Sequence, residues 1–216
     1  MEQKVEIERR RIARDLHDNL GSHLTGIANL GELAMRENQP PTAMKSQLGL
    51  ITSRVRELIN AMDEVVWTVN PKNDSLPNLV AFLSDYTERF VATTEIRYRL
   101  ELDPDFPPLP VSAQIRHHLL LAVKEALNNA VRHGNPKIIY LKIHVQAGNL
   151  EVIVSDDGHG FEMTDVRADG DGLSNLVERM TLINGRAAIQ SEADKGTAVT
   201  LSVPLAGLPV VPSAVS

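Results

Sequence analysis

The stretch DLHDNLGSHL, residues 15–24, could carry nucleophilic chemistry because it places His17 beside Asp18 and a second histidine six residues later. A neutral imidazole can attack as a nucleophile, and a neighbouring carboxylate can fix its tautomer and stabilise its charged form. On a helix, His23 lies seven residues after Leu16 and so on the same apolar stripe, whereas His17 lies on the flank of that stripe. The pattern favours His17 as the reactive histidine and His23 as a core or dimer-interface residue.

A second polar group lies in KEALNNAVRHG, residues 124–134, at the end of a helix predicted over residues 111–133. Glu125, Asn129 and Arg132 recur at i, i+4 and i+7 and so share one face of that helix. A carboxylate and a carboxamide one turn apart can hold a hydrated Mg²⁺ ion, and Arg132 with His133 could then meet a phosphate. Taken alone, this cluster is better interpreted as an ordinary solvated helix face.

The segment VSDDGHGF, residues 154–161, reads as the end of a strand followed by a glycine-rich loop. Asp156 at the strand end can accept a hydrogen bond from an exocyclic amine such as that of adenine. Gly158 and Gly160 would let backbone approach a ligand closely. Taken alone, the DxGxG pattern more often marks an ordinary turn.

A third candidate is DGDGLSNLVERM, residues 169–180, where Gly170 and Gly172 lead directly into a predicted helix that begins about Leu173. The free N–H groups and the positive dipole end of a helix favour phosphate. Thr197 then precedes the predicted closing strand. As an isolated feature, this segment could also be a plain glycine-rich helix start.

The first half of the chain predicts a long helical hairpin that positions the histidines. Residues 2–36 read as one helix, two prolines within residues 37–42 break it, and a second helix follows. Its apolar residues alternate steps of three and four, as in a coiled-coil seam: Leu48, Ile51, Val55, Leu58, Met62, Val65 and Val69. Pairing of two hairpins into a four-helix bundle would cover both apolar stripes, so a homodimer is predicted. The alternative is that both stripes pack on the rest of this chain.

The second half predicts a different architecture. We assign residues 1–70 to the hairpin, 71–77 to a linker, 78–205 to an α/β domain and 206–216 to a frayed tail. Helices and mostly antiparallel strands follow in this order, with a short strand predicted at RAAIQSE, residues 186–192. This order indicates a two-layer α/β sandwich. The overall fold class is therefore α+β.

Composition excludes several classes of protein. A net charge of −6 over 216 residues argues against general nucleic-acid binding. The absence of cysteine excludes disulfides and thiolate metal sites, in keeping with a cytoplasmic setting. No apolar run approaches the roughly 20 residues of a membrane span, and the first residues are too charged for a signal peptide. Membrane contact is expected only through an N-terminal sensor region absent from this sequence.

Taken in order, the motifs of residues 76–205 resemble the ATP-binding domain of the gyrase, chaperone, histidine-kinase and mismatch-repair ATPase superfamily. The resemblance implies ATP as ligand and Mg²⁺ as cofactor, with Asn129 as a metal ligand beside Glu125 in the family's N-box. It further implies an adenine-binding box and a phosphate-flanking box, with one threonine that helps to hold adenine. The matching residues are Asp156, Gly158, Gly160, Gly170, Gly172 and Thr197.

Residues 8–27, ERRRIARDLHDNLGSHLTGI, resemble the phosphoacceptor helix of sensor histidine kinases, in the subfamily with an HD acceptor motif and a short ATP lid. The resemblance implies that His17 accepts a phosphoryl group from ATP, assisted by Asp18, and passes it to the receiver domain of a response regulator. The subfamily commonly has glutamine five residues after the histidine, where this sequence has Ser22. That glutamine helps to position the water that dephosphorylates the regulator, so the departure bears on phosphatase activity and not on kinase activity.

Two other classes of function stay open from the sequence. The chain could be a nucleotide-switched dimeric binding module in which no phosphoryl group is transferred. It could also be a serine kinase or ATPase of the same superfamily that uses its helices only to dimerise.

Overall fold

A computed structural model of the protein describes residues 24–35, 41–162 and 171–205. The chain divides into two compact units, Met1–Pro71 and Lys72–Ser216. Several residues singled out in the sequence lie outside the described residues: His17, Asp18, Ser22, His23 and Gly170.

The first unit is helical over its described residues. Helix α1 covers residues 24–34, and helix α2 spans Pro41–Val69, with its proline in the first helical position, where a missing N–H costs nothing. The predicted seam of α2 consists of two rows. Ile51, Leu58 and Val65 are half-buried. The other row is exposed by 53 % at Leu48, 37 % at Val55 and 49 % at Met62.

The second unit contains a five-stranded sheet in the order β1-β2-β3-β5-β4. Strand β1 pairs parallel with β2, and the other neighbours are antiparallel. The strands span Arg97–Leu102 (β1), Ile138–Gln146 (β2), Asn149–Asp156 (β3), Arg186–Glu192 (β4) and Gly196–Pro204 (β5).

One face of this sheet is apolar because apolar residues recur at every second position of its central strands, where the side chains point to the same face. Along β3, buried and half-buried residues follow one another, and Val152 lies opposite Leu201 of β5 with both side chains fully buried. Helices α3 (Leu76–Val91), α4 (Ala113–Asn129) and α5 (Asp171–Thr181) form the second layer. Helix α4 packs against α5 and the central strands. The predicted two-layer α/β domain is confirmed.

Ser75 and Leu76 give the segment predicted as a linker, residues 71–77, a defined structure. Pro71–Asn73 form a 3-10 turn, and the Ser75 hydroxyl accepts the N–H of Asn78 and caps α3. The N–H of Leu76 donates to Leu109 at 2.9 Å, and the Leu76 side chain is fully buried. The α/β unit therefore takes in the later residues of that segment.

The start of the α/β unit is also held by an ion pair that the sequence did not predict. Arg116 of α4 is completely buried, and its guanidinium pairs with the carboxylate of Asp74. The same guanidinium donates to the carbonyl of Val111 at 2.8 Å. A buried arginine requires such partners because an uncompensated buried charge is costly.

The end of α4 differs from the regular helix predicted as far as His133. The α-helix ends at Asn129 and one turn of π-helix follows, Ala130–Gly134, so Arg132 no longer lies on a regular polar face with Asn129. The π turn ends at Asn135, which adopts a left-handed conformation with φ of 47°. Such wide turns are rare and are frequently found at functional sites.

Candidate functional site

Asp156 is the last residue of β3, and only 9 % of its surface is exposed. Its carboxylate accepts the N–H of Gly158 at 2.9 Å and the backbone N–H of Thr197. Burial raises the pKa of this carboxyl, and the two N–H donors partly oppose that shift. A carboxylate buried at a strand end and held by backbone donors is a pre-oriented hydrogen-bond acceptor.

The glycines that follow Asp156 are required by close backbone contacts. A Cβ on Gly158 would lie 2.2 Å from the carbonyl oxygen of Gly134. Gly160 has a φ of 57°, and a Cβ there would lie 2.2 Å from the carbonyl oxygen of Glu192. Both positions therefore require glycine because any larger side chain would clash with neighbouring backbone.

The backbone of His159 forms hydrogen bonds to two neighbouring turns. Its N–H donates to the carbonyl of Gly134 at 2.8 Å, and its carbonyl accepts the N–H of Asp194 at 2.6 Å. The loop after β3 thus lies between the π turn that follows Asn129 and the turn that joins β4 to β5.

Thr197 and Ser191 extend a polar row from Asp156 across three strands. Asp156 pairs with Thr197 in register, and Thr197 pairs with Ser191, so the three side chains share one face of the sheet. The hydroxyl groups of Ser191 and Thr197 are 2.9 Å apart. A cavity of about 320 Å³ opens at this end of the sheet. Its lining consists of Ser155, Asp156, Gln190, Ser191, Glu192, Lys195, Gly196, Thr197 and Ala198.

Two residues of this region were missed by sequence reasoning. Asp157 Oδ1 accepts the N–H groups of Lys137 at 2.8 Å and Ile138 at 2.7 Å, which ties the start of β2 to the end of β3. Its only signal in the sequence is that it follows Asp156. Ser191 is the half-buried, next-to-last residue of β4, and the predicted strand at residues 186–192 gave it no function.

Glu125 and Asn129 lie one turn apart on α4, and both are half-buried. Arg132 and His133 are exposed on the π turn that begins after Asn129. No cluster of three or more histidine, cysteine or acidic side chains that could hold a metal occurs among the described residues. One carboxylate and one carboxamide nevertheless fit Mg²⁺, which takes oxygen ligands and commonly completes its shell with water and substrate phosphate.

Two further predicted positions lie at the start of α5. Gly172 and Leu173 are in its first turn, and Leu173 is half-buried. The structure therefore gathers Asp156, Gly158, Gly160 and Thr197 into one site. The loop of that site touches the turn that continues from Asn129.

Two family models match this chain. One, described as "Histidine kinase", matches residues 8–74. The other, described as "Histidine kinase-, DNA gyrase B-, and HSP90-like ATPase", matches residues 114–207 and so includes every nucleotide-site candidate from Glu125 to Thr197.

Curated relatives match more than nine-tenths of this chain. Sensor histidine kinase LiaS of Bacillus subtilis is 26 % identical over 92 % of this chain and 54 % of its own length. Sensor histidine kinase LnrJ of the same organism is 29 % identical over 92 % of this chain and 48 % of its own length. Oxygen sensor histidine kinase NreB of Staphylococcus carnosus is 27 % identical over 93 % of this chain and 57 % of its own length. The chain thus spans about half the length of these relatives.

Solved structures agree in fold. The blue-light activated histidine kinase EL346 of Erythrobacter litoralis superimposes with a TM-score of 0.55 at 22 % identity, covering 91 % of this chain and 59 % of that one. Histidine kinase AdeS of Acinetobacter baumannii gives a TM-score of 0.53 at 15 % identity, covering 90 % of this chain and 98 % of that one.

The helical unit followed by an ATPase-type α/β unit defines the class of this protein as a histidine-kinase core. The chain belongs to the family of two-component sensor histidine kinases. The membership predicted from the two motif sets is confirmed. Within the described ranges, no helix is long and apolar enough to cross a membrane.

Proposed function

We propose that this chain transfers the γ-phosphoryl group of Mg·ATP to His17 and then to an aspartate in the receiver domain of a response regulator. The observation that carries the proposal is the buried carboxylate of Asp156, held by the N–H groups of Gly158 and Thr197 in a domain of the ATPase family. Such a carboxylate suits the exocyclic amine of adenine because it is an oriented acceptor beside a cavity.

The phosphates would extend from this site toward the end of α4. Asn129, with Glu125 beside it, would hold Mg²⁺, which neutralises charge on the phosphoryl group during transfer. Arg132 and His133 are exposed on the π turn and available to phosphate oxygens. Backbone N–H groups near Gly172, in the first turn of α5, are suited to an anion by the helix dipole.

His17 acts as the nucleophile. Its neutral ring nitrogen forms a bond to the γ-phosphorus, and the bond from that phosphorus to the bridging oxygen of ADP breaks. Asp18 accepts a hydrogen bond from the other ring nitrogen, which fixes the tautomer and stabilises the imidazolium that develops. His23, which shares the apolar stripe, supports packing.

The second functional element is a homodimer of the helical unit. Leu48, Val55 and Met62 form an exposed apolar row along α2. Covering such a row stabilises an interface by roughly 25 cal/mol per Å² of apolar surface removed from water. Light scattering on the full chain at micromolar concentration should give the mass of a dimer, and a monomer mass would exclude this arrangement.

The activity is tested with ATP labelled at the γ-phosphate. The full chain with Mg²⁺ should acquire label that is lost in acid and stable in base, as expected for phosphohistidine. Label that resists acid would support the serine-kinase alternative. Nucleotide binding without any label would support the binding-module alternative. Asp156→Ala serves as a control, because it should reduce nucleotide binding itself.

A further inference from the structure

Ser191 has three hydrogen-bond neighbours around one hydroxyl group. It accepts the N–H of Phe161 at 2.9 Å, lies 3.2 Å from the carbonyl oxygen of Gly196, and lies 2.9 Å from the hydroxyl of Thr197. Ser191 and Thr197 both line the cavity beside Asp156.

The direction of the bond between the two hydroxyls follows from counting protons. A serine hydroxyl has one donor and two acceptor positions. If Ser191 donates to Gly196, it can accept from both Phe161 and Thr197, and its full capacity is used. If it donates to Thr197 instead, it loses its bond to Gly196. The first arrangement makes three bonds and the second makes two, so the first is favoured.

In the favoured arrangement Thr197 is a donor to Ser191, and only its lone pairs remain for a ligand. The ionised carboxylate of Asp156 is also an acceptor only. The polar row therefore presents two neighbouring acceptors to the cavity. An amino group offers two N–H donors to such a pair, whereas an oxo group would place a third acceptor against them.

We propose that Ser191 is a specificity-determining residue, which fixes Thr197 as an acceptor so that the site selects a purine with an amino group at position 6 over a 6-oxo purine. The proposal rests on the proposed function as an ATP site. Ser191 need not touch the nucleotide, because it acts through Thr197. Without the Ser191 hydroxyl, Thr197 is free to rotate and to donate to an oxo group.

The test compares ADP with inosine diphosphate, which carries an oxo group at position 6, by calorimetric titration of the full chain with Mg²⁺. Wild type should bind ADP more tightly. Ser191→Ala should lower the ratio of the two affinities about fivefold, the scale of one ordinary hydrogen bond. Ser191→Thr retains a hydroxyl and should keep the wild-type ratio. Ser202→Ala is the matched control, because Ser202 lies on β5 opposite Arg186, away from this cavity.

A double variant separates the proposed role from simple support of the Phe161 segment. Thr197→Val should reduce the ratio by a similar factor, and adding Ser191→Ala to it should reduce the ratio no further. Equal weakening of both nucleotides by Ser191→Ala would show a purely structural role and overturn the inference, while leaving ATP binding in place. Failure of folded wild type to bind ADP would overturn the inference and the proposed function together. If Ser191→Ala does not fold, Ser191→Cys must give the same shift, because a thiol is a weak donor and acceptor.

Discussion

Gly158 and Gly134 are in direct backbone contact, so that a Cβ on Gly158 would lie 2.2 Å from the carbonyl oxygen of Gly134. The same carbonyl accepts the N–H of His159 at 2.8 Å. The loop after Asp156 and the π turn after Asn129 are therefore fixed to each other. This contact fixes the position of Asp156, the proposed adenine acceptor, relative to Asn129, the proposed metal ligand.

Gly158→Ala should lower the free energy of unfolding by about 1–3 kcal/mol, the usual range for overpacking, because backbone must move to admit a methyl group. It should also weaken ADP binding, because that movement displaces Asp156. Gly49→Ala is the control, because nothing lies within 4 Å of its added Cβ. At this exposed position of α2, the change should raise the free energy of unfolding by about 0.5–1 kcal/mol. Thermal unfolding measures the stability of both variants. An unchanged melting temperature for Gly158→Ala would show that the backbone contact does not require glycine.

Asn129→Ala should reduce Mg·ATP-dependent labelling about a hundredfold or more, the scale of losing one electrostatic contact in a transition state. The fold should survive, since Asn129 is only half-buried. Asn128→Ala is the matched control, being the neighbouring residue of the same type and also half-buried. Circular dichroism checks the fold of both variants. Unchanged labelling by folded Asn129→Ala would remove Asn129 from the site.

Ionisation of Asp156 should lower the free energy of unfolding as the pH rises. Burial raises the pKa of its carboxyl in the folded protein, so the native state keeps a proton that the unfolded chain has already released. The native state therefore loses stability from the ordinary carboxyl range up through the raised pKa, and the loss is constant above it. Asp156→Asn cannot titrate, so the stability of wild type relative to this variant should decline over that interval. Unfolding experiments on both proteins across a pH series measure the difference in their free energies of unfolding. A difference that stays constant or rises with pH would show that burial does not raise the pKa of Asp156.

Strong local patterns made much of the α/β unit predictable. A short strand was predicted at residues 186–192, and β4 has those bounds. Asp156 and its glycines were found because a strand end, a carboxylate and two glycines have a readable spacing. Thr197 was found through the resemblance, and the register places it beside Asp156.

Long-range contacts explain what the sequence left unseen. The π turn arises where Gly134 is held by His159, 25 positions further along the chain, and local helix periodicity contains no trace of that bond. Arg116 is buried and pairs with Asp74, 42 positions earlier in the chain, a contact that local helix periodicity does not reveal. Ser191 meets Phe161 and Thr197 only once the sheet has formed.

Ser22 should limit the phosphatase reaction on the regulator. A water that attacks a phosphoaspartate needs a polar side chain with enough reach to orient it, and serine is shorter than glutamine. Ser22→Gln should raise the rate of regulator dephosphorylation without raising autophosphorylation. The decay of phosphorylated regulator with added ADP measures this rate. Rapid decay with the unmutated protein that persists after His17→Ala, which excludes back-transfer, would show that glutamine is not needed.

We propose that His17, and not His23, receives the phosphoryl group from ATP. The most direct measurement is acid-labile label on the full chain with Mg²⁺ and γ-labelled ATP, in His17→Gln and His23→Ala side by side. His17→Gln should lose all label with a small change in melting temperature. His23→Ala should keep label and instead lower the melting temperature or weaken the dimer. Full labelling of folded His17→Gln, or complete loss of label in folded His23→Ala alone, would exclude His17 as the acceptor.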